Sequence, residues 1–180
     1  MTIGDSELYS PARRTAGPTR DGEELRLTVT PAGATSRLDG AWWPRSRDFE
    51  RELPPLVRDL DQRWGRVTHA TVNRRLWPSI PPHVTVGTHS VRLGWFDAEE
   101  DPHVIYLFSY GPGHRELLVV PPETDPRHAA AMMATASLPG DLHTASALVD
   151  PTSTDRWGSA RWNHIGPRDW NAEQRTVHGA

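Results

Sequence analysis

Val104-Ile105-Tyr106-Leu107-Phe108 and Leu117-Leu118-Val119-Val120 stand on either side of Gly111-Pro112-Gly113. Each run is almost continuously apolar and bounded by turn residues, the pattern of a strand buried at the centre of a sheet. The short glycine-proline turn makes the two segments, His103 to Tyr110 and Arg115 to Val120, an antiparallel hairpin. Upstream, Val67 to Asn73 and Ser90 to Phe96 read as two further strands, and the turn 97–102 is short enough for a second hairpin. The four segments predict an antiparallel meander.

Outward from the meander, Phe49, Leu53, Leu56, Val57, Leu60 and Trp64 recur at helical spacing, with Asp48, Glu50, Glu52, Arg58, Asp59 and Asp61 on the other faces. Pro54 and Pro55 interrupt this pattern, because a proline inside a helix removes a backbone donor. They place the start of the regular helix at Pro54 or Pro55, leave 47–53 as a separate turn, and make Gly65 the stop. Asp125 caps a second helix through about Ser137, with Ala129, Met132, Met133 and Ala136 as its buried stripe and Pro139-Gly140 as its end. A short helix fits Thr144 to Val149. Leu25, Leu27 and Val29 alternate with Arg26, Thr28 and Thr30 as a half-buried strand. The expected fold is α+β: an antiparallel sheet of about five strands covered on one face by two helices, with Trp64, Trp77 and Trp95 filling or edging that layer.

Residues 1–24 mix Gly, Pro, Ser and charges and read as a disordered leader; 25–150 form a single α+β domain; 151–180 form a polar tail carrying Trp157, Trp162 and Trp170 among arginines. The chain of 180 residues is 36 % apolar and 24 % charged, enough for one domain with a core. It has no Cys, which excludes disulfides, thiol nucleophiles, iron–sulfur clusters and Cys-based zinc sites. All 20 basic residues are Arg, which excludes Schiff-base chemistry and the P-loop lysine. Residues 25–138 balance thirteen Arg against thirteen acids, and this neutrality argues against a nucleic-acid footprint. No stretch reaches the roughly 18–20 apolar residues of a membrane helix, and no signal-peptide pattern opens the chain, so the expectation is a cytoplasmic protein without membrane contact.

Leu38-Asp39-Gly40-Ala41-Trp42-Trp43-Pro44-Arg45-Ser46, with Trp64-Gly65-Arg66-Val67, Trp77-Pro78, Val91-Arg92-Leu93-Gly94-Trp95-Phe96 and Leu117 to Pro122, resembles an uncharacterised family of small actinobacterial proteins. That family is a domain of unknown function. The resemblance spans about residues 25–150 and implies one compact domain of the bacterial cytoplasm, with no activity, ligand or catalytic residue to carry over.

The densest cluster of specific side chains is Asp39, Trp42, Trp43, Arg45 and Ser46. Ser46 suits the N-cap of the following helix, whose free N–H groups and dipole favour an anion. A small anionic or planar ligand would stack on Trp42 or Trp43 and pair with Arg45, with Ser46 or the helix N-terminus on its charge. The structural alternative sends the adjacent tryptophans to opposite faces and makes Asp39 and Arg45 a brace. Arg74 and Arg75 beside Trp77 are too few for a single-strand nucleic-acid surface. The histidines, among them His69, His83, His89 and His103, match no metal-ligand spacing, and the acidic loop 97–101 lacks the glycine and terminal glutamate of an EF-hand. Gly111-Pro112-Gly113-His114 is a turn rather than a phosphate loop, and no nucleophile elbow or dinucleotide fingerprint occurs. No metal or cofactor is therefore expected. Three functions follow: a non-catalytic small-ligand-binding or regulatory module using Asp39 to Ser46, a small enzyme acting on an anionic substrate in the same cleft, and a protein-interaction adaptor acting through its C-terminal tail.

Overall fold

A computed structural model describes residues 24–97, 100–111 and 113–151. The expected leader and tail lie almost wholly outside the described residues. Strands β1 (Leu27–Val29) and β2 (Gly40–Trp42) are followed by helix α1 (Phe49–Trp64), strands β3 (Val67–Asn73), β4 (His83–Val86), β5 (His89–Phe96), β6 (Val104–Ser109) and β7 (His114–Val119), and helices α2 (Pro126–Ala136) and α3 (Ala145–Val149). The strands form one sheet of seven, in the order β1-β2-β7-β6-β3-β5-β4.

The sheet corrects the expected meander in count and in direction. β6 and β7 do pair as an antiparallel hairpin, with Tyr106 opposite Glu116, and they lie inside the sheet. β3 runs antiparallel to β6 but parallel to β5, and β2 runs parallel to β7. The extra strands are short. β4 shows Val84 and Val86 buried between exposed His83 and Thr85, and turns into β5 through Gly87 at φ 57°. β2 is the Gly-Ala-Trp of the tryptophan-rich segment.

The expectation that both helices share one face is also corrected. On β6 and β7, Ile105, Leu107, Leu117 and Val119 join the core of α1, whereas Val104, Tyr106, Leu118 and Val120 join the core of α2 and α3. Successive strand residues point to opposite faces. A run apolar at every position thus marks a strand covered on both sides, which here means α1 on one face and α2 with α3 on the other.

Helix α1 begins at Phe49 and passes through both prolines, so the expected break before Pro54 does not occur. The amides that proline lacks would have donated to the carbonyls of Glu50 and Arg51, both exposed residues, where solvent access lowers the cost of the missing bonds. Phe49, Leu53, Leu56, Val57 and Leu60 are buried, each worth roughly 1.5–3 kcal/mol in transfer from water. The cap is Asp48, whose side chain accepts from the Arg51 N–H, and not Ser46. α2 follows its expectation: Asp125 Oδ1 accepts from the N–H groups of Arg127 and His128, and Ala129, Met132, Met133 and Ala136 are buried. Trp77 is buried and Trp64 packs at the edge of the α1 core, but Trp95 is 53 % exposed.

Candidate functional site

The segment from Asp39 to Ser46 is held by strand pairing. Gly40 opens β2 at φ 144°, where a Cβ would lie 2.1 Å from the carbonyl oxygen of Thr28 on β1. The next two side chains part to opposite faces. Trp42 is buried in the α1 core, stacked on Trp77 with ring centroids 5.7 Å apart. Trp43 packs against the α2 core beneath the Arg26 guanidinium, 3.5 Å from its ring centroid, while Arg26 donates to the carbonyls of Trp43 and Pro44. The indole N–H of Trp43 is buried without a hydrogen-bond partner.

Arg45 and Ser46 come together on Glu52 of α1. The Ser46 hydroxyl donates to Glu52 Oε1 at 2.7 Å and the Arg45 backbone N–H donates to Oε2 at 3.0 Å. The Arg45 side chain reaches the Glu24 carbonyl. The Ser46 hydroxyl that the sequence offers to an external anion is thus engaged by a carboxylate of the chain itself, and the Arg45 guanidinium donates to a backbone carbonyl. Asp39 is brought elsewhere: its Oδ2 accepts from the Glu116 N–H at 2.9 Å, and its Oδ1 accepts from Arg115 at 2.8 Å.

Through Arg115 the segment reaches a cavity of about 260 Å³ between the C-terminal end of α1 and the β6–β7 hairpin. Trp64, Leu107, Phe108, His114 and Arg115 are among the residues that line it. The Arg115 guanidinium lies 4.8 Å from the Trp64 ring centroid, a cation–π contact that with Asp39 fixes its plane. The His114 ring lies against Phe108 at 5.7 Å, and its Nε2 is 3.3 Å from Glu116 Oε1.

Behind His114 sits a buried acidic group. Glu116 is 8 % exposed, and burial pushes its carboxyl above the ordinary range, against the opposing pull of His114 and Arg37. Across the ladder Tyr106 donates to Glu100 Oε2 at 3.1 Å; its phenol is pushed up by burial and by the nearby Glu100 and Glu116. Hairpin geometry builds this arrangement: on β7, Arg115 takes the α1 face while His114 and Glu116 take the other, all at one end of the sheet.

The sequence singles out Asp39 but does not group it with Arg115, His114 and Trp64, which the structure brings near it. The available signal was the charged triplet His114-Arg115-Glu116 between a glycine turn and an apolar run. Among the described residues no three His, Asp or Glu side chains gather as metal ligands, and no helix is long and apolar enough to cross a membrane. His69 pairs with Thr68, and His89 sits 3.5 Å from Asp61.

A family model described as a family of unknown function (DUF5994) matches residues 26–136. None of the curated proteins and none of the solved structures matches the chain.

Proposed function

The chain belongs to the family of unknown function DUF5994, and from the cavity beside Asp39 we propose that it is a non-catalytic module that binds a small anionic molecule, acting in the bacterial cytoplasm. One observation carries this reading: Arg115, oriented by Trp64 and Asp39, faces a cavity whose other walls include Leu107 and Phe108. A guanidinium has five N–H donors, so pairing with Asp39 leaves others for a carboxylate or phosphate. At about 260 Å³ the space falls just below the roughly 300–1,000 Å³ of drug-sized sites, which suits a ligand of one ring or less. In this reading Arg115 contacts the ligand, Trp64 and Leu107 flank it, and Asp39 sets Arg115. Trp42, Trp43, Arg45 and Ser46 hold the strand and helix that carry them.

The test is thermal melting against inorganic phosphate, benzoate, benzenesulfonate, phenyl phosphate and divalent metals. A ligand at about a hundred times its Kd stabilises the fold by about 2.7 kcal/mol, a rise of roughly 2–8 °C. The rise should vanish in Arg115→Gln and persist in Arg45→Ala. Loss in Arg45→Ala alone would return the site to the Asp39 to Ser46 segment, and no rise with any anion would end the anion-binding reading. The pairing of His114 with Glu116 favours a second reading, a small enzyme acting on the same anion; turnover of phenyl phosphate would select it. The adaptor reading rests on residues 152–180, outside the described residues.

A further inference from the structure

We propose that the open half of the sheet face carrying Phe108 binds a short single strand of nucleic acid, its bases stacked on Phe108 and His69 and its phosphates on Arg92 and His83. This surface lies across the sheet from the Arg115 guanidinium, which packs on Trp64 of α1, and it stands whether or not the Arg115 cavity takes an anion.

Strand register builds the surface. Phe108 of β6 is opposite His69 of β3, His69 is opposite Arg92 of β5, and Arg92 is opposite His83 of β4, so four adjacent strands set one side chain each in a row about 14 Å long. Their chain neighbours Leu107, Ala70, Leu93 and Val84 belong to the α1 core, which turns the row to the other face. On that face α2 packs on β1 and β2, with α3 against α2. Beyond them Phe108 and His69 are half-buried, and Arg92 and His83 are exposed. Gly94 brings no side chain to the face beside Arg92, and Ser90 and Thr85 bring only hydroxyls, so the surface is flat.

The chemistry of the row fits bases and phosphates together. Strands β3, β4, β5 and β6 contain no Asp or Glu, and Arg92 forms no ion pair among the described residues. The acids that neutralise residues 25–138 as a whole therefore lie off these four strands, leaving a local positive charge complementary to a phosphate. Burial and the neighbouring Arg92 charge lower the His69 pKa from the ordinary 6.5, so at neutral pH its ring is uncharged and offers a π face, with Nδ1 held by the Thr68 hydroxyl at 2.9 Å. Aromatic rings on a four-stranded face stack two or three unpaired bases, and they do so with little regard to sequence. An acidic peptide would use Arg92 but leave the two rings idle. With so few cations, stacking supplies most of the affinity and the electrostatic share is small, in keeping with the neutrality of the domain.

Fluorescence anisotropy of a labelled oligothymidylate of about ten nucleotides, titrated with the full chain at low salt and neutral pH, tests this. Saturable binding is expected, falling with salt at a log–log slope of about −0.7 for each phosphate engaged. Phe108→Leu keeps an apolar side chain but removes the ring, and should weaken binding roughly five- to hundredfold, the effect of one lost base stack. Arg92→Gln, at an exposed position outside both cores, should weaken it about tenfold and make the salt slope shallower by about 0.7. Arg115→Gln should bind as the parent does, and a duplex of the same length, whose bases are already stacked, should bind more weakly than the single strand. If melting shows that Phe108→Leu is unfolded, Arg92→Gln and the duplex comparison decide. No saturable binding at low salt, binding unchanged in the folded variants at positions 92 and 108, or equal binding of the duplex overturns the proposal. Displacement of the strand by oligoglutamate as effectively as by unlabelled oligothymidylate also overturns it and assigns the surface to an acidic peptide.

Discussion

At Gly40 an added methyl would meet the Thr28 carbonyl oxygen at 2.1 Å, on backbone at φ 144° that side-chain-bearing residues rarely adopt. Backbone rather than a flexible side chain blocks the way, so β1 and β2 must part. Gly40→Ala should cost about 2–4 kcal/mol in a denaturant titration, whereas Gly33→Ala, with nothing within 4 Å, pays only for its φ of 84° and should cost less. His103 carries a pH signature. Burial lowers its pKa from the ordinary 6.5, against the raising effect of Asp101. The unfolded chain therefore binds the proton first: its contribution to stability is whole above about 6.5 and is lost as pH falls toward the folded-state value. His103→Gln should flatten the fall of Tm below pH 6.5. At this scale the sequence was partly legible. Adjacent tryptophans in extended backbone must part, and they do. Arg115 could not be read as a site residue, because the partner that orients it, Asp39, is 76 residues away. Ser46 and Asp48 both suit a cap, and only the path of the chain chooses Asp48.

Among the elements, α3 is the smallest, and one carboxylate anchors it. Asp101 is buried and accepts from the Ser146 N–H at 2.9 Å, the Ser146 hydroxyl at 2.7 Å and the His103 N–H at 3.0 Å. Asp101→Ala leaves these buried donors unmatched at about 1–3 kcal/mol per lost partner. The expected loss is about 2–4 kcal/mol, with amide exchange in 145–149 accelerating before that in α1. Helices were readable from apolar spacing because that spacing reports burial, and burial outweighed the proline penalty in α1. Strand existence was readable for the same reason. Strand partners were not: nothing in Val67 to Asn73 states that it lies parallel to β5 and antiparallel to β6, since such pairings are settled by which neighbours cover which face. The expected single helical layer failed on this point too. Continuous apolar runs in β6 and β7 require cover on both faces, an implication that the count of two helices on one face did not meet.

For the molecule as a whole, the two cores meet back to back through the sheet. Leu117 and Leu118 are both fully buried, one in each core. Leu117→Ala and Leu118→Ala should each cost about 2–5 kcal/mol in one cooperative transition seen by both far-UV and tryptophan signals. A variant that lost the signal of one face first would show two separately melting layers instead. The sheet order also sets a timetable. β2 is flanked only by β1 and β7, so the two strands made first have no other strand to pair with until the last strand leaves the ribosome. With β2 ending at Trp42 and β7 at Val119, synthesis at about 5–20 residues per second makes that delay roughly 4–15 s. During it, the edge of β2 that will pair with β7 stands open to whatever else is nearby in the cell. Nascent chains stalled before Val119 should therefore be caught by chaperones at this ribbon, and those stalled well beyond it should not.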